Sequence, residues 1–151
     1  MAEYIVRLEK RIARPADIVA AQFMDLHHHA RGGVHPDIAY RVLEHEPRRV
    51  RFRQETRLLG MKQVDVVDAV LREDGSVEYH FIEGMNRGSR IHFAFVTNGN
   101  ATCVDATAYL QLSGWKRLIA RPFMSAFRKI ANKALEEDRI DLESCGYPVA
   151  A

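Results

Sequence analysis

The chain lacks most of the motifs that identify common classes of protein. Its two cysteines, Cys103 and Cys145, have neither CxxC nor zinc-ligand spacing, so they predict no disulfide framework and no zinc finger. It contains no P-loop, no dinucleotide fingerprint and no nucleophile elbow, so most common enzyme classes receive no support. It has no run long and apolar enough to span a membrane, and its start, MAEYIVRLEK, does not resemble a signal peptide. We therefore expect a cytoplasmic protein with reduced thiols.

The chain also lacks a large excess of charge of either sign. Its formal net charge is +2, and 47% hydrophobic and 28% charged residues are typical of a soluble globular domain. A charge of this size gives no support for binding nucleic acid, and we expect no such partner. The length of 151 residues is enough for a core without metal or disulfide staples. We expect residues 1–151 to form one ligand-binding domain.

The order of patterned segments predicts the architecture. Pro15 and the apolar stripe that follows it predict a short helix, and the Gly32-Gly33 pair ends a second one. From Pro122 onward, apolar residues at helical spacing predict one long final helix. Strand-like alternation occurs over residues 3–12, 38–46, 49–58, 62–72, 77–82, 89–97 and 101–112. These elements predict an α+β fold: a curled seven-stranded antiparallel sheet gripping a long C-terminal helix, with two short helices after strand one.

Two of the hairpins predict specific neighbours across the sheet. A tight two-residue loop between the second and third strands would place Leu43 opposite Phe52 on the inner face. A two-residue turn at Asn98-Gly99 would place His92 opposite Asp105 on the outer face, where an ion pair is the expected arrangement.

The layout resembles the START-like helix-grip superfamily, also called SRPBCC, which includes birch-pollen-allergen-like proteins, polyketide cyclases and lipid-transfer domains. The segments that carry the resemblance are RIARPADIVAAQFMDL near the start and GWKRLIARPFMSAFRKIANKALEED near the end. Known members mostly hold hydrophobic or amphipathic molecules between sheet and helix, and some cyclise or dehydrate them. The resemblance therefore implies a ligand cavity, and small-molecule sites have volumes of roughly several hundred Å³.

We expect this cavity to be lined by apolar side chains of the inner sheet face and of the final helix. The residues of this predicted pocket are Leu43, Phe52, Phe93, Phe95, Phe123, Phe127, Ile130 and Ala134.

A cluster of histidines follows the first short helix, with residues 27–29 and His35 close together. Imidazoles that are this close can bind Zn or Fe, and a carboxylate can complete such a site. Ring-hydroxylating oxygenases, whose catalytic domain has this fold, carry Asp-x-x-His-x-x-x-x-His, in which the histidines bind iron. Asp25-x-x-His28 matches the first half of that pattern, whereas His35 lies further along. The resemblance implies iron, and imidazole chemistry also allows Zn, at His28 and His35 with Asp25 as ligand or support. The alternatives are a polar loop at the pocket mouth or a histidine acting as general acid and base.

A basic stretch precedes and opens the final helix. No acidic residue occurs from 106 to 135, whereas Lys116, Arg117 and Arg121 all do. Bases near a helix N-terminus oppose the helix dipole, so helix stability does not explain their position. We expect these three residues to contact a membrane surface or an anionic head group, and the alternative is a solvated basic face.

The sequence leaves two functions open. The first is binding or transfer of a hydrophobic or amphipathic small molecule, lipid-like or polyketide-like, in the cavity between sheet and C-terminal helix. The second is an enzyme of the same fold, either a polyketide cyclase/dehydratase-like protein or a metal-dependent enzyme using Asp25, His28 and His35. Fold alone does not decide between them.

Overall fold

The structure is a computed structural model that describes residues 2–148. Its elements follow the predicted order, with two short helices after the first strand and one long helix at the end. A single 3-10 segment joins the last strand to that helix. The elements are β1 Ala2–Ile12, α1 Ala16–Met24, α2 Leu26–Gly32, β2 Ala39–Glu46, β3 Arg49–Leu58, β4 Met61–Leu71, β5 Val77–Gly84, β6 Arg90–Asn98, β7 Ala101–Leu112, the 3-10 segment Gly114–Ile119 and α3 Ala120–Ser144.

The seven strands form one curled antiparallel sheet in the order β1-β7-β6-β5-β4-β3-β2. Each strand from β2 to β7 pairs with its neighbour in sequence, whereas β1 pairs with β7 along eleven residues. The chain must therefore cross from one edge of the sheet to the other between β1 and β2, and α1 and α2 make that crossing. The predicted fold is confirmed.

Helix α3 covers the concave face of the sheet. It has 25 residues, so it is about 37 Å long at 1.5 Å per residue. Pro122 lies in its first turn, where a missing N–H costs no helical hydrogen bond. Phe123, Leu135 and Leu142 are buried in the main core together with the inward residues of β1 and β7. The helix thus packs against the sheet through the apolar stripe that the sequence predicted.

A second, smaller core lies under α2 and the strands β3, β4 and β5. It contains Leu26 of α2 and the inward side chains Phe52, Val67 and Phe81. Tyr79 packs against both cores.

The β2–β3 hairpin differs in one detail from its predicted register. The loop forms as expected, and Glu44 lies opposite Arg51. A bulge between Val42 and Glu44 then shifts the pairing, so that Val42 rather than Leu43 lies opposite Phe52. A bulge leaves its extra residue without a cross-strand partner, and Leu43 is 41% exposed.

The β6–β7 hairpin also turns one residue later than predicted. Asn98 pairs with Ala101, so the two turn residues are Gly99 and Asn100. Gly99 has φ +64, a conformation that only glycine adopts without strain at this first turn position. His92 therefore lies opposite Thr107, and the predicted facing of His92 and Asp105 is wrong.

The structure contains no helix within residues 2–148 that is both long enough and apolar enough to cross a membrane.

Candidate functional site

A cavity of about 140 Å³ lies between the concave face of the sheet and α3. Its wall is mostly apolar, with side chains from all seven strands on one side and from α3 on the other. Five of the eight predicted pocket residues line it: Phe93, Phe123, Phe127, Ile130 and Ala134.

The other three predicted pocket residues lie outside the cavity wall. Leu43 is on the bulge described above and faces solvent. Phe52 is fully buried in the smaller core, where its ring packs on Tyr79 at a centroid distance of 5.6 Å. Phe95 packs edge-to-face on Phe23 at 5.3 Å, and it is Phe23 that lines the cavity.

The cavity is smaller than the several hundred Å³ that the resemblance implied. Aromatic rings occupy much of the space between sheet and helices, because Phe93 stacks edge-to-face with both Phe23 and Tyr79 at 5.0 Å. An engineered protein cavity of about 150 Å³ is large enough to bind benzene. The observed cavity therefore fits one aromatic ring or a slender chain without rearrangement.

One end of the cavity carries a group of buried polar side chains. His29 of α2, His35 of the following loop and Asp138 of α3 each offer one ligand atom, and these atoms lie within 4.8 Å of one another. The Asp138 Oδ1 atom is 3.1 Å from His29 Nε2 and 3.2 Å from His35 Nε2. We call this group the His29/His35/Asp138 cluster; all three side chains line the cavity.

Each imidazole of this cluster is anchored through its second nitrogen. His29 Nδ1 lies 2.9 Å from the carbonyl oxygen of Asp25, and His35 Nδ1 lies 3.1 Å from Glu137 Oε1. Because the Asp25 carbonyl only accepts, His29 Nδ1 must carry a proton and donate it. The two Nε2 atoms then face the Asp138 carboxylate, which also accepts when ionised, so each contact requires a shared proton or a cation.

Burial and charge act in opposite directions on this cluster. Burial lowers the pKa of His35, but the carboxylates of Asp138 and Glu137 outweigh it, so the pKa of His35 is raised. Burial raises the pKa of Asp138, yet His35 and His29 outweigh it and hold that pKa well below its usual range. Asp138 is thus a carboxylate at neutral pH.

Two tyrosines beside the cluster are neutral over a wide pH range. Burial, followed by the charge of nearby groups, raises the pKa of Tyr40 well above its usual value. Burial does the same for the pKa of Tyr79, whose hydroxyl donates to the Phe23 carbonyl at 2.6 Å. Both side chains line the cavity as uncharged groups.

The structure does not bring the predicted set of Asp25, His28 and His35 together. His28 Nε2 lies 2.8 Å from Asp141 Oδ2 instead. The Asp25 side chain caps α2 by accepting from the His28 backbone N–H, and it also accepts from the Tyr147 hydroxyl. Of the predicted metal ligands, only His35 belongs to the observed cluster.

Helical periodicity could have indicated the two residues that the sequence interpretation missed. His29 follows the buried Leu26 by three positions and so shares its face, whereas His28 points about 100° away. Asp138 follows Ala134 by four positions, which places a carboxylate on the apolar stripe of α3. An acid on an apolar stripe is a signal that the sequence contained.

The three basic residues predicted to contact an anionic surface differ in their exposure. Lys116 is buried, and its ammonium donates to the Met85 carbonyl. Burial lowers the pKa of Lys116. Arg117 and Arg121 are exposed, so only these two of the three predicted contact residues reach solvent.

No protein-family model and no curated protein matches the chain. Among solved structures, a protein of Thermus thermophilus is 20% identical with a TM-score of 0.75, over 93% of this chain and 100% of that one. The Zhui aromatase/cyclase of a Streptomyces species is 15% identical with a TM-score of 0.77, over 96% and 99%. A START superfamily protein of Mycobacterium smegmatis is 14% identical with a TM-score of 0.72, over 94% and 99%.

At these identities the likeness establishes the fold and nothing finer. The chain has the START-like helix-grip fold that its sequence predicted, and its cavity lies between the sheet and the terminal helix.

Proposed function

We propose that this protein binds, and can transfer, a hydrophobic or amphipathic small molecule in the cavity beneath α3. The observation that carries the proposal is a mostly apolar cavity in the interior of the domain, with polar side chains at defined places in its wall. Ligand sites combine these two properties, since apolar walls supply affinity and a few polar groups fix orientation. The names of the similar structures, a START superfamily protein and an aromatase/cyclase, support the same class of function.

Filling the cavity from α3 should weaken binding. Ala134 lines the cavity, so Ala134→Phe would occupy space that a ligand needs. We expect a small aromatic probe such as indole to bind the wild type, measured by calorimetry, and to lose at least tenfold in affinity in this variant.

The matched control is Asn132→Phe, which adds the same ring on the exposed side of α3. It should leave the affinity of the probe unchanged. Equal affinities in wild type and Ala134→Phe would place the binding site elsewhere, and an absence of binding in the wild type would remove the proposal.

The second candidate function is that of an enzyme using the His29/His35/Asp138 cluster. Two imidazoles and one carboxylate that converge, each imidazole anchored by an oxygen at its other nitrogen, are a donor set that suits Zn or Fe. Such an ion would supply Lewis-acid chemistry next to the cavity. Without a metal, the same imidazoles can exchange protons with a bound ligand, as a cyclase or dehydratase requires.

A cobalt or zinc titration distinguishes the metal-binding form of this candidate. We expect near-stoichiometric binding in the wild type and its loss in His29→Ala and in Asp138→Asn, because each removes one converging ligand. His28→Ala should retain binding, and so should His45→Ala, whose ring lies outside the cluster. If His28→Ala abolishes binding while His29→Ala does not, the set predicted from the sequence is the correct one.

A contact between the exposed Arg117 and Arg121 and an anionic surface remains a prediction, as does a cytoplasmic location.

A further inference from the structure

A second polar group lies at the opposite end of the cavity from the His29/His35/Asp138 cluster. Gln63, Asn86 and Ser89 line the cavity there, and Lys116 connects this group to the start of α3 through its contact with the Phe123 ring. Phe123 and Asp138 are about 22 Å apart along α3 at 1.5 Å per residue. The proposed ligand site therefore has two distinct polar ends.

The hydrogen bonds at this end fix the orientation of each amide. Asp65 is buried and its carboxylate can only accept, so the Asn86 group that it contacts at 2.7 Å must be the amide nitrogen. That same nitrogen lies 2.8 Å from Gln63, which must therefore present its carbonyl oxygen. The Lys116 ammonium faces the remaining Asn86 oxygen at 3.5 Å and agrees with this assignment.

The consequence is a buried donor without a partner. With its oxygen bonded to Asn86, Gln63 has only its amide nitrogen left, and this nitrogen makes no hydrogen bond within residues 2–148. Gln63 is 1% exposed and lines the cavity. Leaving a buried donor unpaired is costly, and such groups in folded proteins have partners in nearly every case.

Ser89 adds a second donor at the same end. Its Oγ accepts from the Gln111 backbone N–H at 2.9 Å, so the hydroxyl proton remains for another partner. The side chains that form the cavity wall include no Lys or Arg among the described residues, and Asp65 offsets the charge of Lys116 behind it. This end thus offers hydrogen-bond donors without net positive charge, and a carboxylate would lose its hydration there without compensation.

We propose that the Gln63 amide nitrogen, assisted by the Ser89 hydroxyl, binds an uncharged carbonyl oxygen of the ligand. The inference rests on the proposed function and narrows its ligand class to neutral ketones or esters with an apolar body. The Gln63 end holds the carbonyl, and the apolar body extends beneath α3 toward the His29/His35/Asp138 cluster.

Acetophenone and ethylbenzene test this assignment, because they have nearly the same shape and differ by a carbonyl in place of a methylene. We expect Gln63→Leu to weaken acetophenone about five- to tenfold relative to ethylbenzene, the range of one net hydrogen bond. Dissociation constants are measured by NMR titration of both probes against each protein. Gln63→Glu, which keeps an oxygen for Asn86 but removes the amide donor, should show the same selective loss.

The matched control is Gln54→Leu, which makes the same chemical change at another amide of the cavity wall. It should leave the ratio of the two affinities unchanged. A ratio that is unchanged in Gln63→Leu would overturn the inference while both probes still bind, and the proposed function would survive. Benzoate is the test for a charged ligand. If it binds the wild type as tightly as acetophenone does, and its affinity falls in Gln63→Leu, then the site binds a carboxylate and the proposed class of neutral ligands is wrong. If neither neutral probe binds the wild type, the proposed function itself fails.

Discussion

At the scale of single residues, position on a helix face decides which histidine enters the cluster. His27, His28 and His29 are consecutive, yet only His29 is directed at Asp138, while His28 contacts Asp141 one turn further along α3. The sequence prediction selected His28 as a metal ligand, because His28 has the spacing from Asp25 that the oxygenase pattern requires. The face of α2 is set by the burial of Leu26, so the tertiary fold overrides the motif.

The buried amide of Gln22 shows the same dependence on residues far away in sequence. Its nitrogen donates at 3.0 Å both to Asp138 and to Asp141, and its oxygen has no partner within the described chain. No local pattern could have indicated this bridge, because it joins residues separated by more than a hundred positions.

Gly84 has a backbone conformation that favours glycine, and it lies against Asp65, which belongs to the hydrogen-bonded group at the Gln63 end of the cavity. Its φ is +107, and a Cβ there would lie 2.2 Å from the Val64 carbonyl oxygen and 2.7 Å from Asp65 Oδ1. We expect Gly84→Ala to lower the free energy of unfolding by about 2–4 kcal/mol, the sum of backbone strain and a steric clash that only a strand shift relieves. Urea denaturation measures the change.

Gly99→Ala is the matched control for Gly84→Ala. Gly99 also has a positive φ, but nothing lies within 4 Å of its added Cβ. Gly99→Ala should lower the free energy of unfolding by about 1–2 kcal/mol, the strain of placing an alanine in the left-handed conformation. Equal losses in the two variants would show that φ alone, and not the contact with Val64 and Asp65, sets the requirement for glycine at position 84.

At the scale of secondary-structure elements, periodicity predicted nearly everything that is repetitive. The seven strands, the first short helix and the long final helix follow from alternation and from apolar stripes, since these patterns report which face is buried. The irregular positions were not predictable in the same way. The bulge at Leu43 and the turn at Gly99-Asn100 depend on how strands pair, and one inserted residue changes every later partner.

Oppositely charged side chains pair across three strands on the outer face of the sheet. Arg49 and Arg51 alternate along β3, and both contact Asp68 of β4 while Glu44 approaches from β2. The Arg51 guanidinium is the main cause that holds the pKa of Asp68 below its usual value. Arg49 and Arg51 thus both have acidic partners on this face, in surface ion pairs of the kind that contribute little to stability.

At the scale of the whole molecule, the cavity joins segments that no local pattern connects. The His29–Asp138 contact spans 109 positions, and the Gln63 end depends on the β5–β6 loop and on the 3-10 segment. The sequence predicted that a cavity would exist, because a curled sheet with one covering helix encloses space. It did not predict how the polar groups at the two ends come together, because each group is assembled by tertiary contacts between distant elements.

The same end of the molecule that carries Gln63 also exposes apolar and basic side chains together. Leu118 of the 3-10 segment is 87% exposed and Trp115 is 51% exposed, with Arg117 between them and Arg121 just beyond. Exposed aromatic and aliphatic residues interleaved with arginine are typical of segments that lie at a membrane interface.

Trp115 is the chain's single tryptophan, so its fluorescence reports on this surface alone. We expect anionic vesicles to shift its emission to the blue and neutral vesicles to have little effect, because Arg117 and Arg121 supply an attraction that salt screens. Arg117→Glu should abolish the shift. Lys129→Glu, which makes the same charge change at another exposed position, should reduce it much less. Equal shifts with neutral vesicles would mean that Arg117 and Arg121 do not drive the contact. Equal losses in the two variants would mean that net charge, and not this particular surface, drives it.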